Sequence, residues 1–240
     1  MDEFLRTEML IGRDAMEKLR AARVAVFGIG GVGGHVAEAL ARSGVGSLVL
    51  VDNDVVSLSN INRQVIALHS TIGRYKTEVM RERILDINPK AQVEIHTCFF
   101  LPENAEDFNF YSYDYVVDAV DTVAAKLEII ARAKHAGTPV ISAMGAGNKL
   151  NPSAFAVTDI YKTQMCPLAR VMRRELRKRN IKSLKVVCSS ETALQPKGMY
   201  QEAAEENAAG SRRAVPGSIS YVPSIAGLLL AGEVIQDLIA

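Results

Sequence analysis

Apolar positions recur along this chain with two periods, and the switches between them mark out the elements. Residues 24–27 form an unbroken apolar run of strand length, the pattern of a strand buried on both faces. Gly28, Gly30, Gly31 and Gly33 follow, and then Val36, Ala37, Leu40 and Ala41 share one face of a helix running to Ser43. A second apolar run, residues 48–51, ends in Asp52. Met80, Ile84 and Ile87 make the stripe of a helix over 74–87, which Asn88 and Pro89 stop. Strands are expected at 93–96, 115–120 and 140–142, with a helix over 122–136 ended by Gly137 and Pro139. Residues 98–113 lack apolar periodicity and read as a connection, while 4–19 read as a helical arm with Leu10, Met16 and Leu19 available for packing.

From residue 151 the pattern changes. A strand is expected at 154–159 and a helix at 167–180, with Leu168, Val171, Met172 and Leu176 on one side. A strand over 186–191 runs into a turn; 197–216 reads as a mobile loop, 218–222 as a strand, and the apolar stretch 222–235 as a buried core helix. The alternation of strands and helices predicts an α/β fold, a Rossmann-like doubly wound, mostly parallel sheet with a C-terminal extension carrying a basic helix. Residues 1–150 would form a nucleotide-binding core with its N-terminal arm, and 151–240 an extension of the same domain.

Composition changes this picture in four places. The chain has 240 residues, 48% apolar and 23% charged, with a net charge of +1, so a nucleic-acid partner would need a local basic patch. The helix over 167–180 supplies one: Arg170, Arg173, Arg174, Arg177, Lys178 and Arg179 stand against the single acid Glu175. A merely solvated face is the plainer reading, and contact with a phosphate backbone the sharper one. Cys98, Cys166 and Cys188 are widely spaced with no C-x-x-C, which argues against a zinc knuckle or a disulfide framework and suits a reducing cytoplasm. The first ten residues are polar and acidic, unlike a signal peptide. The stretch 222–235 is short for a bilayer and holds Pro223 and Glu233, so no membrane insertion is expected.

The candidate chemistry gathers around the first strand–glycine turn–helix–strand unit. Glycines let a turn bend tightly and let phosphate oxygens approach the backbone, a helix start offers N–H groups to anions, and Asp52, about 20 residues on, suits ribose hydroxyls. That unit alone leaves NAD, FAD, S-adenosylmethionine and ATP open. The next loop carries Asp54, Asn60, Asn62, Arg63 and Gln64. Arg63 has the planar fork for phosphate, while Asn60 suits a turn cap equally well. Lys76, in the first turn of its helix, opposes the dipole unless an anionic ligand meets it there. Asp118 and Asp121 arrive at the end of a strand, where open α/β sheets bind ligands. A carboxylate there can hold hydrated magnesium beside phosphates, or Asp121 can cap the following helix. His96 has no nearby His or Cys partner and reads as a strand histidine, not a ligand; Cys188 reads as a buried thiol, with nucleophilic catalysis the minority reading.

Taken together, GIGGVG at 28–33, LVDND ending at Asp54, NINRQ at 60–64, GRYKTEVM at 73–80 and DAVDT at 118–122 resemble the ubiquitin-activating-enzyme-like superfamily of ATP-dependent carboxylate adenylators, the ThiF, MoeB and HesA group. The resemblance covers roughly residues 4–160. It implies ATP as the nucleotide, Asp52 on the ribose, Arg63 and Lys76 on the phosphates, and magnesium at Asp121. It also implies a homodimer in which Arg6 of RTEMLIG reaches the partner's phosphates. RTEMLIG, the run 69–89, CPLARVMRREL and VVCSSE more closely resemble the tRNA threonylcarbamoyladenosine dehydratase branch. That branch implies ATP-dependent cyclisation of the modified adenosine in tRNA, with the carboxylate activated as an acyl-adenylate. Cys166 stands where the branch's DPLA-like motif has its acid. The resemblance leaves open a monovalent cation and a sulfur-transfer protein as associates. The alternative is an activator of the carboxyl terminus of a small ubiquitin-like sulfur carrier.

Overall fold

The structure, a computed structural model, describes residues 3–197 and 216–240. Two short helices, α1 (Leu5–Ile11) and α2 (Arg13–Ala21), lead into β1 (Arg23–Phe27). Then come α3 (Gly33–Arg42), β2 (Ser47–Val51), α4 (Lys76–Ile87), β3 (Gln92–His96), β4 (Tyr115–Asp118), α5 (Val123–Ala136) and β5 (Val140–Ala143). The last part supplies β6 (Phe155–Asp159), α6 (Pro167–Lys178), β7 (Lys185–Ser189) and α7 (Tyr221–Ile239).

One seven-stranded sheet has the order β3-β2-β1-β4-β5-β7-β6. Every pairing is parallel except β6 with β7. The order reverses between β1 and β4, so a crevice opens where their carboxyl ends diverge. The first half, through β5, is the doubly wound unit expected from the apolar runs. Helices α3 and α7 pack on one face with α4; α5 and α6 cover the other. Residues after 151 continue the same sheet.

Several expectations are corrected. The N-terminal arm is broken at Gly12, whose φ of +83° suits glycine; Met16 and Leu19 are buried but Leu10 is 85% exposed. The connection 98–113 carries core without periodicity, because Phe100, Phe108 and Phe110 pack around Phe27. Strand β4 ends at Asp118, two residues early, because the Asp118 carboxylate takes the Val120 N–H and turns the chain. Residues 218–222 are not a strand; Tyr221 already begins α7. Most of the 197–216 loop lies outside the described residues. The final helix has 19 residues and a mean hydropathy of 1.5 over its apolar window, so shortness is no argument against its crossing a membrane. Its inner face packs on the sheet: a Cβ on Gly227 would stand 2.5 Å from the Val32 carbonyl of the turn into α3, and Val222, Ala226, Leu230 and Val234 are buried in the main core.

Candidate nucleotide site

The glycine turn sits at the β1/β4 divergence. Gly28 has φ +88°, and a Cβ there would lie 2.7 Å from the Ala119 carbonyl oxygen of the β4 turn. At Gly33, the first residue of α3, a Cβ would lie 1.7 Å from the Gly28 carbonyl oxygen. These two glycines are demanded by the chain's own sterics. Gly30 and Gly31 are not: their nearest neighbours would be 3.8 and 3.4 Å away. Their lack of side chains leaves backbone accessible just before α3, where helix-start N–H groups suit an anion.

Asp52 lies at the lip of this turn. Its carboxylate accepts the Ile29 N–H at 2.6 Å and the Asp54 N–H at 2.8 Å. Burial pushes its pKa above the usual carboxylate value, against the pull of the nearby Lys76 charge and the two N–H donors. Lys76 is 5% exposed at the first position of α4, and its Nζ donates to Asp54 Oδ2 at 2.7 Å. A buried ammonium held by one carboxylate at an unfavourable helix end is a group placed for an anion.

The loop after β2 packs beside it. Arg63 Nη1 donates to the Ser59 carbonyl at 2.8 Å and to Asn62 Oδ1 at 2.9 Å, and Asn62 Nδ2 donates to the Ser218 carbonyl at 3.0 Å. Asn60 is buried and closes its own turn, its Oδ1 accepting the Ser57 N–H. Gln64 is 7% exposed beside Gly30, and its Oε1 is buried with no hydrogen-bond partner among the described residues. Buried amide oxygens are normally satisfied, so this one fits a bound ligand.

Asp121 is exposed just past β4. It does not cap α5: Thr122 stands at that position and makes no capping bond. Asp118, read alongside it in the sequence, is fully buried and bonded to Lys126 and Ser142. His96 pairs with Glu94 and packs on Phe108.

Three sequence candidates stand elsewhere. Arg6 is exposed on α1, just past Phe4, which packs under Gly44 at the amino end of β2. That is the opposite edge from the glycine turn, so a chain does not bring Arg6 to its own site. On α6, Arg170, Arg174 and Lys178 are exposed, with Glu175 held below its usual pKa by Lys178 and Arg174. Arg173 instead turns inward to the carbonyl and hydroxyl of Thr163, and Arg177 lies over the Tyr161 ring at 5.3 Å. Cys188 is buried beside Cys166, and burial pushes its pKa up, the setting of a structural thiol.

One neighbour of the site is not evident from the sequence. His35, on the first turn of α3, bonds Ser224 of α7 at 2.9 Å and the backbone of Arg63, and burial lowers its pKa. It ties the phosphate-side loop to two helices. Its signal was only a polar residue within an otherwise small and apolar helix start.

A glycine cradle at a sheet switch point, flanked by a buried lysine, an arginine loop and a lip carboxylate, defines an α/β nucleotide-binding protein of the phosphate-cradling class. The ThiF family model matches residues 4–240. A tRNA threonylcarbamoyladenosine dehydratase of Bacillus subtilis (strain 168) is 42% identical over 242 residues, covering all of this chain and 95% of that protein. The probable adenylyltransferase/sulfurtransferase MoeZ of Mycobacterium tuberculosis (strain CDC 1551 / Oshkosh) is 39% identical over 55% of this chain and 33% of its own length. The crystal structure of the E. coli dehydratase TcdA in complex with AMP superimposes with a TM-score of 0.88 at 32% identity, covering 98% of this chain and 93% of that one; TcdA in complex with ATP gives 0.87. The chain belongs to the ThiF family.

Proposed function

We propose that this protein is an ATP-dependent tRNA threonylcarbamoyladenosine dehydratase. The observation that carries the reading is the full-length match to a dehydratase on a chain whose cradle sets the buried ammonium of Lys76 close to Asp52 at the glycine turn.

A carboxylate is a poor electrophile at neutral pH. In the proposed reaction its oxygen attacks the α-phosphorus of ATP, and pyrophosphate leaves. The carbamoyl group of the same nucleoside then attacks the acyl carbon, a proton is lost and AMP departs. The water removed from the nucleoside is thus accounted for by conversion of ATP to AMP and pyrophosphate. Ring closure is intramolecular and asks mainly for positioning. Lys76 and Arg63 stabilise the phosphate charge, Asp52 orients the ribose, and open backbone at Gly30 and Gly31 admits the phosphates. Magnesium, held at Asp121, would add charge neutralisation on the phosphates. The exposed α6 residues Arg170, Arg174 and Lys178 suit the tRNA backbone, and Arg6, remote from its own cradle, suits the partner site of a homodimer. Three free cysteines fit a reducing, cytoplasmic setting. Sulfur-carrier activation is less favoured, because the sulfurtransferase relative MoeZ matches over only half of the chain.

The test is mass spectrometry of nucleosides from threonylcarbamoylated tRNA incubated with the protein, ATP and magnesium. Loss of one water from the modified adenosine, only with ATP, is the expected result. An unchanged nucleoside, together with pyrophosphate exchange stimulated by a carrier protein, would replace the reading with the alternative.

A further inference from the structure

Asp118 and Asp121 share one short motif but have opposite surroundings. The side chains of Asp118 and Lys126 are 0% and 1% exposed, and Ser142 is fully buried. Lys126 Nζ donates to Asp118 Oδ2 at 2.9 Å and lies 3.3 Å from Ser142 Oγ, which itself donates to Asp118 Oδ2 at 2.5 Å. Asp118 Oδ1 accepts the Val120 N–H at 3.2 Å. Three elements are knotted here: the end of β4, its register partner Ser142 on β5, and the first turn of α5.

A buried ion pair adds little net stability over apolar residues of similar volume. This one acts on geometry. The Asp118 carboxylate holds Val120. The Ala119 N–H is bonded to the Phe27 carbonyl at 2.8 Å, and Ala119 and Val120 press against Gly28 so closely that a Cβ there would lie 2.7 and 3.0 Å from their backbone atoms. The turn therefore has no slack on the β1 side, and α5 begins two residues after Asp121 on the other. Asp121 is exposed at the tip.

We propose that the Lys126–Asp118–Ser142 knot positions the Asp121 carboxylate for the nucleotide, making Lys126 a positioning residue that never touches the ligand. The proposal rests on the proposed function, which puts Asp121 beside the phosphates. Lys126→Met alone strands a buried carboxylate and is expected to unfold the chain. The informative variant is the neutral pair D118N/K126M, compared with D121N and with the triple variant by calorimetric titration of ATP in magnesium. D121N and D118N/K126M are each expected to stay folded and to weaken ATP binding about tenfold, and the triple variant is expected to bind no more weakly than either. Effects that do not add mark two changes acting through one group. A folded D118N/K126M protein that binds ATP as the wild type does, or a triple variant showing the two losses added, overturns the proposal. Binding is read without tRNA. A wild-type protein that fails to dehydrate tRNA would therefore sink the functional reading while leaving this comparison decisive.

Discussion

Gly30 and Gly33 lie three residues apart in one turn and are glycine for different reasons. At Gly33 a Cβ would overlap the Gly28 carbonyl at 1.7 Å, whereas at Gly30 the nearest atom would be 3.8 Å away. Gly33→Ala is therefore expected to lower the thermal midpoint and abolish ATP binding. Gly30→Ala should melt as the wild type does and lose affinity only because its methyl occupies the ligand's space. Melting curves and ATP titrations on both variants check this; a Gly30→Ala protein with unaltered affinity would mean that phosphate does not approach there. Asp52 makes a pH prediction. Its pKa is raised by burial, so the folded state holds this proton more tightly than the unfolded state. The associated stability is present below about pH 4 and is lost as pH rises through the raised value. An asparagine side chain does not titrate, so the thermal midpoint of Asp52→Asn minus that of the wild type should climb from acid toward neutral pH. At neutral pH the variant should keep its fold and bind ATP about tenfold more weakly, since the ribose loses a charged acceptor.

Among the elements, α6 shows what a charge count on a helix misses. Of its basic residues, Arg173 is spent on Thr163, while Arg177 stays exposed with its guanidinium over the Tyr161 ring. Arg170, Arg174 and Lys178 make up the rest of the outward face, the last two paired with Glu175. Replacing those three by Ala should weaken tRNA binding and reduce the slope of log affinity against log salt by about one for each phosphate no longer neutralised, with the melting temperature unchanged. Arg173→Ala should do the reverse, lowering the melting temperature with little change in slope. Filter binding over a salt series separates the two; a slope untouched by the triple change would remove α6 from the interface. The last helix makes a similar point. Its 19 residues satisfy a membrane-length test, yet Gly227 lets it seat directly on the start of α3.

For the molecule as a whole, Arg6 decides the predicted assembly. It lies at the amino edge of the sheet and the cradle at the carboxyl edge, so the proposed role of Arg6 on the phosphates requires a second copy. Arg6→Ala and Asp121→Ala proteins should each be inactive. Mixed one to one and allowed to exchange, they should recover about a quarter of wild-type activity, because half of the dimers are mixed and each carries one intact site. No recovery in a mixture shown to exchange would remove Arg6 from the shared site.

The linear pattern by itself determined the doubly wound half of the fold. Buried parallel strands are continuous apolar runs, and helices on a sheet carry one apolar stripe. The glycine turn, Asp52 and the amide-rich loop were legible too, since those residues lie close together along the chain. Tertiary structure alone decided which of two near-identical groups does what. Asp118 and Asp121 have the same chemistry and differ only in burial, because Lys126 and Ser142 arrive from α5 and β5. Asn60, Arg173 and Cys188 were turned inward by neighbours distant in sequence or by the closing of their own turns. The aromatic cluster over 98–113 and the seat of α7 on α3 are likewise long-range packing, which no local period records.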